Sequence, residues 1–275
     1  FLKFENQTIT QKDFGVFGGV DGFSWHPSGR VFSITYSSGI AVYRFDKTQG
    51  IVAKLADTKS LGVWNKWTDW SADGKYLATG GPDYGASKNI NVYRFDLESG
   101  LLTDLANCNI DVGFSIANGG AWSPSGKYLA VACYTGTGKK AHVYKFENEK
   151  LTLLDSLLSD QEFFSVDWSK DEKYLAFGGP SSKSLRVLSF DGNRLSELVG
   201  SGKVVGTEVR DLSFSPDNNF VAAVGVPSEF EIFALNEENL ITSNSNAIIS
   251  TDETFDRIIA NSNSVDLLAT NSSAI

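Results

Sequence analysis

Five copies of one short motif recur along this chain at nearly equal intervals, and this regularity restricts the fold more than any other feature. Each copy has a large aromatic residue, a polar turn, an aromatic or apolar residue and a short apolar run, as in "WSPSGKYLAVA" at 122–132. Successive leading aromatics are 45, 52, 46 and 46 residues apart. Repeats of this length indicate one supersecondary unit that is used several times. The leading residues are Trp25, Trp70, Trp122, Trp168 and Phe214.

Each copy has the pattern of four short antiparallel strands. In the third copy, residues 119–122, 127–132, 142–146 and 151–157 have strand length and are separated by polar turns. The turn "SPSG" has Pro where φ must be preset and Gly at its end. Such a sheet has two apolar faces and open edges, so it is not stable alone. Packing several sheets radially around an axis buries both faces.

The two ends of the chain together supply a sixth copy. Residues 255–275 match the first and second strands of the other copies, and "FLKFENQTIT" at 1–10 matches the third and fourth strands, as in "VYKFENEKLT". We therefore predict an all-β, six-bladed β-propeller of four-stranded antiparallel blades. Its ring would close where the N-terminal strands pair with the C-terminal half-blade. One domain would span 1–275, with blades at about 20–57, 66–106, 118–157, 163–200, 209–245, and 255–275 plus 1–13.

These repeats resemble the β-propeller superfamily, and within it the WD-repeat-like proteins, whose second strand carries a motif of the type "SPDGKYLA". The chain departs from the WD-repeat pattern because its copies have no Gly-His opening and no Trp-Asp after the third strand. The buried Asp–His–Ser–Trp hydrogen-bond chain of that family therefore has no counterpart here. The first copy, with "HPSGR" followed by "VYRFD", has a weaker resemblance to lactonase-type propellers, the phosphogluconolactonase-like group, which usually have seven blades.

The charge distribution argues against a nucleic-acid partner. The net charge is −9, and residues 226–275 contain eight acidic residues and one arginine, which gives −7 in that stretch alone. A nucleic-acid backbone would be repelled there. The acidic sector is either a solvated surface that aids solubility or a docking surface for a basic protein or peptide.

Other features of the composition limit the cellular setting only loosely. No apolar run reaches the roughly 18 residues of a membrane helix, so no membrane insertion is expected. Two cysteines are too few for a disulfide scaffold, and we expect free thiols. The sequence begins at Phe1 and contains no Met, which we interpret as a processed form or a segment of a longer chain. The compartment, cytoplasmic or secreted, stays open.

One face of the predicted disc has variable loops. The loops between second and third strands and the connections between copies differ, whereas the turns after the leading aromatics are uniform. Both variable sets emerge on one face of an up-and-down propeller, and binding residues concentrate on variable loops held by a rigid scaffold. Several aromatics there could instead seal the gaps between blades, and the cations could line an axial channel. The predicted binding residues are Trp64, Lys66, Tyr84, Phe114, Tyr134, Phe163, Arg210 and Arg257.

No catalytic constellation is visible in the sequence. His26 falls in a turn and His142 begins a third strand, so the two are not expected to meet. Neither a nucleophilic triad nor a metal cluster is therefore supported, and we predict no cofactor. The leading hypothesis is a non-enzymatic protein-interaction module that uses the variable face. One alternative is a lactonase-like hydrolase with its site at the channel mouth, using Arg210, Glu208 or Arg257. Another is a structural subunit of a larger extracellular or surface assembly.

Overall fold

The structure is a computed structural model. It describes residues 2–5, 8–11, 19–36, 39–46, 52–59, 65–82, 88–112, 116–134, 139–158, 161–180, 183–198, 200–227, 229–235, 241–243, 257–260 and 267–270. In these ranges the regular structure is β, apart from one 3-10 turn at Ala106–Cys108. This confirms the predicted all-β class. No helix in the same ranges is long and apolar enough to cross a membrane.

Five four-stranded antiparallel sheets follow one another within the described part of the chain, each in the order of the sequence. The first sheet has β3 (Val20–Trp25), β4 (Val31–Tyr36), β5 (Gly39–Phe45) and β6 (Val52–Lys59). The second has β7 (Trp67–Trp70), β8 (Tyr76–Gly80), β9 (Ile90–Phe95) and β10 (Leu102–Asp104). The third has β11 (Ile116–Trp122), β12 (Tyr128–Tyr134), β13 (Lys139–Glu147) and β14 (Lys150–Leu158). The fourth has β15 (Ser165–Trp168), β16 (Tyr174–Gly178), β17 (Leu185–Phe190) and β18 (Leu195–Glu197), and the fifth has β19 (Glu208–Phe214), β20 (Phe220–Val226), β21 (Glu229–Leu235) and β22 (Ile241–Ser243).

The uniform turns after the leading aromatics share one hydrogen-bond pattern. In the second sheet, the hydroxyl of Ser71 accepts a hydrogen bond at 3.0 Å from the backbone N–H of Tyr76. The corresponding serines of the next three sheets accept the same bond. The residue three positions after that serine has a positive φ, and Gly74 (φ 72°) fills the position without strain. In the fourth sheet the position is held by Glu172 (φ 61°), so glycine is favoured there but not required.

The sheets pack radially through their innermost strands. β3 contacts β7, β7 contacts β11, β11 contacts β15, and β15 contacts β19, which in turn contacts β23 (Arg257–Ala260). The leading aromatics of the second to fifth sheets are buried between neighbouring sheets. Trp25, the leading aromatic of the first sheet, is instead 41% exposed. The radial order is the one expected of a propeller.

The two ends of the chain form two separate hairpins. β1 (Leu2–Glu5) pairs with β2 (Thr8–Gln11), and β23 pairs with β24 (Leu267–Thr270). The described residues place β23 beside the fifth sheet. A closing blade built from both hairpins, and with it the count of six, stays a prediction.

Candidate functional site

One repeat position, directly before each leading aromatic, comes together around the axis. Because adjacent innermost strands contact one another, equivalent residues on them become neighbours. We call this set the axial ring. Two of its members are acidic, although most other residues of the innermost strands are buried or partly buried. Its described members are Ser24, Asp69, Ala121, Asp167 and Ser213.

Asp69 joins the first three sheets at the axis. Its Oδ2 accepts a hydrogen bond at 2.8 Å from the backbone N–H of Trp122 on β11. Its Oδ1 accepts one at 3.3 Å from the hydroxyl of Ser24 on β3. An innermost strand is an edge strand, so its N–H groups that face the axis have no strand partner and need another acceptor. The Asp69 carboxylate supplies that acceptor.

Asp167 repeats the arrangement between the fourth and fifth sheets. Its Oδ2 accepts hydrogen bonds from the N–H of Phe214 at 2.8 Å and from the hydroxyl of Ser213 at 3.0 Å. Its Oδ1 accepts a third, at 2.9 Å, from the N–H of Trp168. Asp167 is therefore held by donors on two adjacent innermost strands.

The two carboxyls titrate close to neutral pH. The pKa of Asp69 is raised to about 7, chiefly by burial and to a smaller extent by the negative charge of Asp167, while hydrogen bonds from Trp122, Ser24 and the Trp70 backbone oppose the increase. Burial also raises the pKa of Asp167 to about 6, against the hydrogen bonds from Phe214, Ser213 and Trp168. Neither residue as a whole is fully enclosed, although both carboxyl groups are surrounded by protein atoms. A pKa near the working pH is what general acid–base chemistry requires, so this pair can exchange protons with a bound molecule.

A second set of residues lies nearer the start of the innermost strands, four positions before each leading aromatic. We call it the mouth ring. Its distance from the axial ring is three strand residues, or about 10 Å along the strand. It contains Asp21, Lys66, Asn118, Phe164 and Arg210.

Ion pairs and an aromatic platform organise the mouth ring. The Lys66 Nζ atom lies 3.2 Å from Asp21 Oδ1. Arg210 forms an ion pair with Glu208, and its guanidinium carbon lies 5.3 Å from the centre of the Phe164 ring. The Tyr134 ring packs on Phe164 at 4.9 Å between ring centres. The mouth thus presents two paired cations and a partly exposed aromatic surface.

The structure brings some predicted binding residues together and separates others. Lys66 and Arg210 lie in the mouth ring, and Tyr134 supports it through Phe164. Phe163 is 1% exposed and packs on Phe177 at 5.1 Å, so it fills the space between sheets and is not accessible to a ligand.

Arg257 occupies a different repeat position from the other two predicted cations. It begins β23 and pairs with Thr270. This pair corresponds to the pair of Thr68 and Thr79 in the second sheet. That position lies two residues before the leading aromatic, whereas Lys66 lies four residues before it. The remaining predicted residues, Trp64, Tyr84 and Phe114, lie outside the described residues.

Neither histidine contributes to the two rings. His26 follows β3, its Nε2 donates to the Gly74 carbonyl at 3.0 Å and its Nδ1 accepts from the Ser28 N–H at 3.0 Å. Burial lowers the pKa of His26. His142 lies inside β13, opposite Val131, rather than at the beginning of that strand. In the described ranges no cluster of three or more metal-ligating side chains occurs, and both cysteines are buried free thiols.

Solved structures with the same fold include several lactonases. The periplasmic gluconolactonase PpgL of Pseudomonas aeruginosa matches with a TM-score of 0.77 and 15% identity, over 99% of this chain and 85% of that chain. A putative 6-phosphogluconolactonase of Bacteroides uniformis also has a TM-score of 0.77 at 15% identity, with 98% and 83% coverage. The β-propeller domain of Cps50 (Swd1) of Myceliophteria thermophila matches with a TM-score of 0.70 at 11% identity, over 97% and 84%. No protein-family model and no curated protein sequence matches the chain.

These matches show that the chain has a β-propeller fold, as its repeats predict. They also correct the prediction of a non-enzymatic module. Three of the similar structures are named as a gluconolactonase or as putative 6-phosphogluconolactonases, which argues against that prediction. The sequence-based argument looked for a nucleophilic triad or a metal cluster and did not consider the axial aspartates, Asp69 and Asp167, because they lie on separate repeats.

Proposed function

We propose that this protein hydrolyses a lactone, with the axial ring as the catalytic site and the mouth ring as the substrate entrance. The carboxyl pair of Asp69 and Asp167, which titrates near neutrality at the centre of a propeller, carries the proposal. The lactonase names of similar structures support it. Ala121, on the intervening strand, contributes only a methyl group to the axial ring between the two aspartates.

We propose different roles for the two carboxyls, supported by their hydrogen bonds and pKa values. Asp167 has three donors that favour its ionised form, so it is suited to accept a proton from the attacking water. Asp69 has the longer hydroxyl contact and the higher pKa, so it is suited to donate a proton to the departing ring oxygen. Water oxygen bonds to the carbonyl carbon, the ring C–O bond breaks, and the product is the open hydroxy acid. Proton exchange with solvent then restores both carboxyls.

Carboxyl-to-amide variants test this proposal. We expect Asp167→Asn and Asp69→Asn each to lower kcat/KM for lactone hydrolysis by about 10²–10⁴-fold, measured by titrating the released acid above spontaneous hydrolysis. Asp191→Asn is the matched control, because Asp191 is an exposed turn residue that accepts hydrogen bonds from Asn193 and Arg194. Full activity in Asp167→Asn, or no hydrolysis of any sugar lactone by the unmodified protein, would contradict the proposal.

We also propose that the terminal hairpins combine into a sixth sheet that closes the ring. The exposed face of Trp25 supports this, because the equivalent aromatics are covered by the preceding sheet. If β1 pairs with β24 as β9 pairs with β8, Lys3 lies opposite Leu267, in the register of Arg94 and Tyr76. The pair Lys3→Cys and Leu267→Cys should then form a disulfide under mild oxidation. The pair Glu5→Cys and Leu267→Cys, which is out of register, should not. Equal cross-linking of both pairs, or none, would overturn the closure.

A further inference from the structure

The two cations of the mouth ring are already neutralised. Lys66 lies 3.2 Å from the carboxylate of Asp21 on the neighbouring strand. Arg210 forms an ion pair with Glu208, which precedes it by two residues on β19. An anionic group that approached Arg210 would also approach the Glu208 carboxylate. Neither cation is thus available to an anion without a repulsive neighbour.

The described side chains of the innermost strands carry a net negative charge. Glu208 and Asp211 lie on β19, Asp21 lies on β3, and Asp167 adds a carboxylate in the axial ring, whereas Asp69 is not counted because it holds the proton in the proposed reaction. Lys66 and Arg210 are the cations among the described side chains of the innermost strands and the residue before β7. A doubly charged phosphate group would meet this field on its way to the axial ring.

The uncharged part of the mouth suits a hydroxylated ring. Phe164 is partly exposed, and Tyr134 and Arg210 hold its ring in place. The C–H face of a sugar ring packs on an aromatic ring, while Asn118 and the ion-paired carboxylates of Asp21 and Glu208 can bond its hydroxyls. A ligand that makes these contacts does not need to carry a charge.

We infer that the substrate is an uncharged polyhydroxy lactone rather than a phosphorylated or carboxylated one. The inference depends on the proposed lactone hydrolysis and specifies its substrate. Similar structures are named as a gluconolactonase and as a putative 6-phosphogluconolactonase. The ion pairs of the mouth ring favour the unphosphorylated substrate of these two.

A comparison of two lactones that differ only in a phosphate tests the inference. We expect kcat/KM for an unphosphorylated six-carbon sugar lactone to exceed that for its 6-phosphate by at least about tenfold at low salt. Added sodium chloride should raise the rate with the phosphorylated lactone, because it screens repulsion, and leave the neutral reaction nearly unchanged. A preference for the phosphorylated lactone, or a rate with it that falls as salt rises, would overturn the inference and leave lactone hydrolysis standing.

Removing one carboxylate from the mouth should change this preference. Glu208→Gln leaves Arg210 without its charged partner, so we expect activity on the phosphorylated lactone to rise about fivefold or more relative to the neutral one. Asp21→Asn should act in the same direction through Lys66. Glu149→Gln is the matched control, because Glu149 makes a 2.9 Å ion pair with Arg94 in a turn between third and fourth strands and carries the same charge change away from the mouth. An equal shift in Glu149→Gln would show that net charge, not the mouth pairs, sets the preference.

Binding without turnover separates this inference from the proposed function. The corresponding sugar lactams, with nitrogen in place of the ring oxygen, resist hydrolysis and can be titrated calorimetrically with and without the 6-phosphate. Tighter binding of the neutral lactam supports the inference even if the catalytic assignment of Asp69 and Asp167 fails. Tighter binding of the phosphorylated lactam overturns it even if hydrolysis is observed.

Discussion

At the scale of single residues, Asp69 and Asp167 serve both structure and chemistry. Each accepts the N–H of the leading aromatic of a neighbouring sheet, which an edge strand would otherwise leave without a partner. The same enclosure disfavours the charged form of the carboxyl and raises its pKa. The groups that hold the inner strands together are therefore also those that titrate near neutrality.

The raised pKa values predict a loss of stability as the pH rises. The folded protein keeps the Asp69 proton up to about pH 7, whereas the unfolded chain releases it near its ordinary value of 3.8. Stabilisation by the protonated carboxyl is complete below pH 3.8 and is lost as the pH rises through about 7. We expect Asp69→Asn to be more stable than the unmodified protein at pH 8, by about 1–3 kcal/mol, and to lose this advantage at pH 4.

Urea denaturation at a series of pH values measures this difference. His26 and the turn aspartates contribute with the opposite sign, because their pKa values are lowered, so the quantity to follow is the variant minus the unmodified protein. Asp217→Asn is a suitable control, since the pKa of Asp217 is lowered and its removal should cost stability at pH 8. A difference between Asp69→Asn and the unmodified protein that does not change with pH would contradict the assignment.

At the scale of strands, close approach of backbones sets the positions of the innermost strands. A Cβ atom on Gly119 of β11 would lie 2.4 Å from the Phe164 carbonyl oxygen, and that atom belongs to backbone that cannot swing away. The glycine therefore lets the third and fourth sheets approach each other beside the axial ring. It explains why "GGAW" opens the third repeat in place of a larger pair.

A single methyl group at this position should separate the two strands. We expect Gly119→Ala to destabilise the fold by about 1–3 kcal/mol and to lower lactone hydrolysis more than its stability loss alone explains. Gly126→Ala is the comparison, because a Cβ there meets only Ser71 at 3.9 Å and its cost comes from the positive φ of 70°. Thermal unfolding together with activity well below Tm distinguishes the two effects. An unaltered activity in folded Gly119→Ala would show that the ring geometry does not depend on this contact.

At the scale of the whole molecule, stability comes from aromatics packed between sheets. Trp168 is 4% exposed, donates its indole N–H to the Ala121 carbonyl at 3.1 Å and packs against Phe190. Trp25 has the same repeat position but keeps 41% of its surface exposed. The burial of a leading aromatic thus reports whether a sheet lies on its other side.

The two tryptophans test the proposed ring closure, because the five described sheets cover Trp168 but leave Trp25 partly open. We expect Trp168→Ala to cost about 3–5 kcal/mol of unfolding free energy, and Trp25→Ala to cost a similar amount because the proposed sixth sheet covers its open face. Chemical denaturation followed by circular dichroism measures both. A loss in Trp25→Ala of less than half that in Trp168→Ala would contradict the ring closure.

Much of this architecture was readable from the sequence, because strands and turns depend on local patterns. The leading aromatics, the turn serines and the alternating third strands recur at a fixed spacing, and the structure has five four-stranded sheets at those places within its described residues. Aligning the repeats also shows the column Ser24, Asp69, Ala121, Asp167 and Ser213, so a signal for the axial ring existed. The sequence did not show that these residues contact one another or that burial raises the pKa values of Asp69 and Asp167.

The sequence by itself determined the repeat, its four strands and its turns, since each is encoded by residues less than about fifty positions apart. The tertiary structure alone decided that two aspartates 98 residues apart in the chain lie near one axis, where the charge of Asp167 raises the pKa of Asp69. It likewise decided that Lys66 meets Asp21 and that Arg210 lies over Phe164. Such contacts arise only when separate sheets pack radially, because burial, charge proximity and the resulting pKa values belong to the assembled molecule and not to any one repeat.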